Sequence, residues 1–399
     1  IQASGTLAAQ TRQVAMGNDL AAQDVAVRIP FTWKGVAGFG QTAPDAPATV
    51  TLRQLALPSW AMLFGPSAVS LVLAEHSVVA EGELATLDKS LAIGLNGRAT
   101  VGARPSTELQ LDLAVPDLAK APWLAKLIRR QTKRSLNLAA GEASVKLTAS
   151  YREGATAAAG TVAFKGVTAT MPEPALIFEG LRAELTFPDL LNLRSEPHQE
   201  IAFSQALISA IPVDGGTLTF HLESLERIFL EKCEVAWCGG TLTTHAIRFN
   251  PRQPDFDIVL YADNIQLARL FELQTALKGE ASGTLYGKIP FSFKDGRMYY
   301  TDGFLYSVPG KRGRLKLENT EVLTGSMPRT DPRIAQAEAA LKDLQFDVFK
   351  IDLDGEGEMT RVAIRVEGRS ATDPTLQPVN LNATIEAPIN DLIDAGDIL

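Results

Sequence analysis

The feature that most restricts this chain is an alternation of apolar and polar residues with a period of two, recurring through its length. That period puts the apolar side chains on one face of an extended strand. Leu109, Leu111, Leu113 and Val115 are separated by Gln110, Asp112 and Ala114, and the pattern returns at Val145, Leu147 and Ala149. It returns again at Leu218, Phe220, Leu222; at Phe256, Ile258, Leu260; at Ile351, Leu353; at Val362, Ile364, Val366; and at Leu381, Ala383, Ile385. Glycine tends to precede these runs, as in GEASVKL, AGTVAF and GGTLTF, where hairpin turns and bulges ask for positive φ. The segment KIPFSFKDGRMYYTDGFLYS reads as a hairpin on an Asp295-Gly296 turn. That register sets Phe293 opposite Met298 and Phe291 opposite Tyr300, on one face with Ile289, while Lys288, Ser292, Lys294, Arg297 and Tyr299 take the other.

Helix signals are few. APWLAKLIRRQTKRS predicts an amphipathic helix near 119–135, with Trp123, Leu124, Leu127 and Ile128 forming its apolar stripe. Asp331-Pro332 opens a second over 332–344. A single turn is expected near 188–194, within a weak repeat of strand followed by short Leu-rich helix: LDLAVPDLAKAPWL, AELTFPDLLNL, VLYADNIQLARLFEL and ATIEAPINDLI. With the two-proline linker PRTDP at Pro328 to Pro332, the chain divides into residues 1–214, 215–327 and 328–399. The fold class is mainly β, an elongated, mostly antiparallel sheet with short helices at its margins. So little helix cannot cover so much half-apolar strand. Either the sheet folds on itself as a dry sandwich or barrel, or it curls into a trough whose lining a ligand completes.

The composition, 46% hydrophobic and 21% charged, is that of a folded protein. The net charge of −8 argues against a nucleic-acid partner. No run reaches the roughly 18 apolar residues of a membrane-spanning helix, and IQASGTLAAQ is not a signal peptide. Because the chain starts at Ile1 without a Met, we expect a preceding segment, which is where a signal or anchor would lie. No Gly-x-Ser-x-Gly elbow, His-Glu-x-x-His, P-loop or dinucleotide fingerprint is present, so no catalytic residue, cofactor or enzymatic activity is expected. DLDGEGEM fails as a calcium loop because Ala363 stands where a bidentate Glu is needed, and no metal site is expected. His76, His198, His221 and His245 are scattered. Cys233 and Cys238 are a disulfide candidate in an oxidising compartment, with two reduced, buried thiols as the alternative. The basic run from Arg129 to Arg134 is read as a solvated helix face, with anionic headgroups as its functional alternative.

The order GTLYGKIPFSFKDGRMYYTDGFLYS, GRLKL, RIAQAEAALKDLQFDVFKIDLDGEGEMTRVAIRVEGRS and PVNLNATIEAPINDLI resembles the C-terminal region of the YdbH-like proteins, in the AsmA-like group of Gram-negative bacteria. The resemblance covers about Gly215 to Leu399. It implies a U-shaped hydrophobic β-groove that shuttles phospholipid across the periplasm between inner and outer membranes, in a protein anchored to the inner membrane by an N-terminal helix. It also implies a small outer-membrane lipoprotein that adds strands to an open edge, here near Leu381 to Ile385. Acyl chains would lie on Leu218, Phe220, Leu222, Phe256, Ile258, Leu260, Ile289, Phe291, Phe293, Met298, Tyr300, Ile351, Leu353, Val362, Ile364, Val366, Leu381, Ala383 and Ile385. The rival reading is a structural or interaction β-protein with a self-sealed core and no lipid cargo.

Overall fold

A computed structural model describes residues 2–17, 20–34, 47–60, 62–74, 76–102, 104–132, 135–172, 176–208, 211–224, 226–250, 255–273, 278–294, 297–320, 332–356 and 359–388. The chain is mainly β. The described residues hold 26 strands, and their described pairings are antiparallel. The backbone divides into two compact units, Ile1–Ile201 and Ala202–Leu399.

The first unit opens with β1 (Gln2–Met16), which among the described residues pairs only with β2 (Leu20–Lys34) and leaves Leu7 and Met16 exposed. Four short strands follow: β3 (Ala48–Leu52), β4 (Gln54–Leu57), β5 (Met62–Phe64) and β6 (Ser67–Leu73). From β6 a meander runs through β7 (Ser77–Ala85), β8 (Ala92–Thr100), β9 (Ser106–Val115), β10 (Asn137–Arg152), β11 (Ala155–Met171) and β12 (Leu176–Phe187). The alternation survives this pairing, so apolar residues align into lanes that cross the strands. Leu84, Ile93, Leu113, Val145, Val162 and Leu185 are successive partners, and Leu95, Leu111 and Leu147 form the adjacent lane. Between β9 and β10 the chain makes a 3-10 turn, Leu118–Lys120, and then α1 (Pro122–Thr132). Residues 188–194 form hydrogen-bonded turns closed by an Asp189–Arg194 bridge, with the Asp189 carboxylate accepting the Asn192 N–H at 3.1 Å.

β13 (Gln199–Phe203), β14 (Gln205–Ile208) and β15 (Ile211–Val213) precede the main ladder of the second unit. That ladder comprises β16 (Gly216–Ser224), β17 (Arg227–Trp237), β18 (Gly240–Phe249) and β19 (Phe256–Gln266). After α2 (Leu267–Glu272) come β20 (Gly279–Ser282), β21 (Thr284–Lys294), β22 (Arg297–Ser307) and β23 (Gly313–Leu317). α3 (Pro332–Leu341) leads into β24 (Leu344–Glu356), β25 (Met359–Ser370) and β26 (Val379–Pro388). β17 and β18 are joined by two left-handed residues, Cys238 (φ 47°) and Gly239 (φ 70°), the type I′ geometry whose twist suits a two-residue hairpin. Bulges recur where Asn264 and Asp302 take positive φ, and another between Phe346 and Val348 turns both Phe346 and Phe349 to the same side. Each bulge bends its strand and strengthens the local twist.

Candidate functional site

In the second unit the apolar face is sealed at one margin and half-open at the other. The sealed lane runs through Ile265, Leu285, Phe349, Val366 and Leu381, with Ile265, Leu285 and Val366 at 0% exposure. It is covered by the short helices: Leu267 and Phe271 of α2, Ala340 and Leu341 of α3, and the neighbouring Leu344 and Phe346 belong to the same cluster. Helices this short are marginal alone, so this packing is what holds them. Ser307 sits in the sealed lane with its hydroxyl accepting the Phe349 N–H at 2.9 Å, which satisfies both groups.

The lanes farther from the helices are only half-buried. Leu260 faces Ile289, Leu353 faces Val362, and Val362 faces Ile385. One lane beyond, Ile258 faces Phe291 and Phe291 faces Tyr300; Tyr300 then meets Gly355, and Gly355 meets Thr360. Phe249, Phe256, Phe291 and Tyr300 make a chain of tilted or edge-on rings with centroids 5.8, 6.0 and 6.4 Å apart. Burial raises the Tyr300 hydroxyl above its ordinary pKa. Across β16 and β17, Phe220 meets Leu230 and Leu222 meets Ile228, again half-buried.

The residues expected to line a groove therefore fall into two groups. Leu218, Phe220, Leu222, Phe256, Ile258, Leu260, Ile289, Phe291, Tyr300, Leu353, Val362, Ile364 and Ile385 are half-buried, whereas Ile351, Val366, Leu381 and Ala383 lie in the sealed core. Phe293 pairs with Met298 as the hairpin register requires, but both side chains, like the Asp295-Gly296 turn, lie outside the described residues. The PRTDP linker through Asp331 and the Gly357 turn of DLDGEGEM also lie outside them.

The first unit repeats the arrangement. Phe64, Leu91, Val115, Leu118, Ala121, Val167 and Ala169 form its sealed cluster, with Trp123 and Leu124 of α1 packed against it. Leu109, Leu111, Leu113, Val145 and Leu147 are half-buried. None of these was assigned to the site from sequence, although their alternation is the same signal. A separate cavity of about 250 Å³ lies between the Thr86–Ser90 turn and α1, lined by Met62, Leu63, Leu87, Trp123 and Lys126 among others. It is below the usual size of a small-molecule pocket.

The opposite face is polar and paired. His221 Nδ1 lies 2.8 Å from a Glu231 oxygen, Arg248 Nε bonds Glu223 at 3.1 Å, and Lys294 pairs with Asp257 at 3.0 Å. Hydrogen bonds from Ser292 and Lys294 hold the Asp257 carboxyl below its ordinary pKa. Of the basic run, Arg129 is exposed on α1, while the side chain of Arg130 and residues Lys133 and Arg134 lie outside the described residues. Among the described residues no cluster of His, Cys, Asp and Glu is placed to hold a metal ion.

The disulfide expected of Cys233 and Cys238 is not formed: both thiols are free. Cys233 lies inside β17 and Cys238 in the turn beyond its end. Extended backbone rises about 3.3 Å per residue, so their Cα atoms are separated by well over the roughly 7 Å that a disulfide spans. Burial, assisted by Asp214 and Glu272, pushes the Cys238 thiol up to about 12, and burial also raises Cys233.

A family model, YdbH-like, described as "Intermembrane phospholipid transport protein YdbH", matches residues 3–398, so the likeness extends well upstream of the C-terminal region first recognised. No curated protein and no solved structure was found to match the chain.

Proposed function

We propose, because the chain belongs to the YdbH-like family of intermembrane phospholipid transport proteins, that the half-open lanes of its apolar face carry phospholipid acyl chains across the periplasm without covalent chemistry. The observation that carries this reading is the exposure gradient: Leu260, Ile289 and Ile385 stay half-buried while the same strands are dry at Ile265, Leu285 and Leu381, in the cluster that α2 and α3 complete. A face meant only as a core would be covered along its full width. Each methylene moved through water costs about 0.8 kcal/mol, so a sixteen-carbon chain faces on the order of 13 kcal/mol. Aliphatic lanes remove much of that barrier, and their sameness from strand to strand gives many nearly equal positions, which permits sliding. The headgroup stays in water.

The proposal extends to two partners. β26 pairs only with β25 among the described residues, which suits strand addition by a small outer-membrane lipoprotein. The second partner is the inner membrane, as the family resemblance implies; among the described residues no helix is long and apolar enough to cross a membrane. The test is lipid uptake. Purified chain, delipidated and returned to phospholipid vesicles, is expected to recover bound phospholipid in native mass spectrometry. Unchanged stability on delipidation together with no uptake would establish the sealed structural protein instead.

A further inference from the structure

The cavity between the Thr86–Ser90 turn and α1 combines charges with apolar walls, which the aliphatic lanes do not. The turn is fixed by its own hydrogen bonds. The Thr86 N–H reaches the Leu91 carbonyl at 2.9 Å, Thr86 Oγ1 accepts the Leu91 N–H at 3.0 Å, and Asp88 Oδ1 accepts the Ser90 N–H at 3.0 Å. A hydrogen bond from the Thr86 side chain, with those from Ser90, holds the Asp88 carboxyl below its ordinary pKa, so it is charged at neutral pH. Lys126, one turn into α1, lines the same cavity. Both side chains are exposed, and among the described residues neither is ion-paired, with the other or with a third group; the neighbouring Lys120 is taken by Asp117 at 3.1 Å. The rim is apolar. Leu63 and Leu87 are 39% and 54% exposed and adjoin each other, the Leu87 N–H donating to the Leu63 carbonyl at 2.9 Å. A single exposed leucine needs no explanation, but two together beside a pair of unneutralised opposite charges describe a particular ligand.

We propose that this cavity holds the headgroup of a zwitterionic phospholipid, with Lys126 taking the phosphate, Asp88 the ammonium, and Leu63 and Leu87 the first methylenes of the tails. The inference rests on the phospholipid reading above and names the headgroup. At about 250 Å³ the cavity is too small for a whole lipid, and a headgroup is the part that fits. A primary ammonium offers three donors and a carboxylate only acceptors, so Asp88 and an ethanolamine group are complementary. An anionic headgroup such as phosphoglycerol satisfies Lys126 and leaves Asp88 facing a like charge. The lanes, being aliphatic, cannot tell headgroups apart; this site can.

The experiment reads the site directly. Trp123 lines the cavity, so its indole N–H signal in a nitrogen-15 spectrum, assigned by its loss in Trp123→Phe, reports occupancy. The delipidated chain is titrated with dihexanoyl phosphatidylethanolamine below its micelle concentration, with dihexanoyl phosphatidylglycerol, and with glycerophosphoethanolamine, which has the headgroup but no tails. The ethanolamine lipid is expected to shift the signal saturably and to bind about threefold more tightly than the glycerol lipid, about 0.7 kcal/mol, within the range of one exposed ion pair. Lys126→Gln is expected to weaken both lipids, Asp88→Asn to erase the difference between them, and the tail-less compound to bind more weakly than the lipid. Equal affinity for the two lipids, or no shift with the ethanolamine lipid while phospholipid uptake persists, overturns the proposal and leaves the groove reading standing. Equal binding of the tail-less compound overturns the assignment to a lipid and gives the site to a soluble phosphoamine. No shift and no uptake overturn both readings. Should Asp88→Asn disturb its turn, Lys126→Gln and the comparison of the two lipids on the wild type still decide the matter.

Discussion

A charge placed in a half-open lane separates a conduit from a core, and Phe291→Glu is the informative change. Phe291 is half-buried, with its ring 6.0 Å from Phe256 and 6.4 Å from Tyr300. Losing two aromatic pairs costs about 0.5–1.5 kcal/mol each, and losing half the burial of a phenylalanine about 1 kcal/mol more. The total, about 2–4 kcal/mol, is smaller than the roughly 5–15 kcal/mol of a typical domain, and the new carboxylate keeps part of its hydration. The variant is expected to fold, with a lower melting temperature. Its effect on cargo is larger. A chain sliding over the site strips the remaining water from the carboxylate, at a cost of several kcal/mol. At about 1.4 kcal/mol per tenfold, about 3 kcal/mol slows transfer by more than a hundredfold. The assay is movement of a fluorescent phospholipid from donor to acceptor vesicles, with circular dichroism reporting the fold. Thr301→Glu, an exposed position on the neighbouring strand β22, is the control for added charge. Wild-type transfer by folded Phe291→Glu, or equal slowing by both variants, would refute the reasoning.

Other outcomes follow from the packing. Val366→Asp, which puts a carboxylate at a position of 0% exposure, is expected to abolish cooperative unfolding, in contrast to Phe291→Glu, as a thermal melt will show. Without reductant, the denatured chain is expected to take up two alkyl groups from iodoacetamide, because both thiols are free. The native chain at pH 8 is expected to react slowly, since burial keeps both thiols protonated; immediate double labelling would contradict it. Gly313→Ala is expected to destabilise by about 1–3 kcal/mol, since its methyl would lie 2.0 Å from the Phe346 ring, and a denaturant titration measures this. The Asp343 carboxylate accepts Arg314 Nε at 2.6 Å and Nη2 at 2.7 Å, which holds its pKa below the ordinary value. Its stabilisation is present above the unfolded carboxyl value near about 4 and is lost as pH falls through the lower folded one. The melting difference between wild type and Asp343→Asn should thus be full at pH 7 and shrink below pH 4.

What sequence revealed and what it hid follow from range. Period-two alternation is local, so the strands around Leu109, Val145, Ile258 and Val362 were legible, and the register of Phe291 with Tyr300 followed from one turn dipeptide. Which lane is open is a long-range property. Val366 and Ile385 both continue the alternation, but Val366 is fully buried in the cluster that includes α2 and α3 residues, whereas Ile385 is half-buried outside it. Bulges hide more. The shift between Phe346 and Val348 changes the parity of β24, so Phe346 reaches the sealed core although counting back from Ile351 in steps of two misses it. Cys238 looked like half of a bridge because proximity in sequence was its only visible neighbourhood, whereas its left-handed φ makes it the corner of a hairpin.

The one-sided seal has a mechanical consequence. Strands clamped at one end and loose at the other behave like pages held by a spine, so the free margin can spread while the bound margin keeps its register. On the lipid-carrying reading proposed above, tails of different girth, straight or kinked, use the same track by parting the pages to different widths, with no rearrangement at the binding.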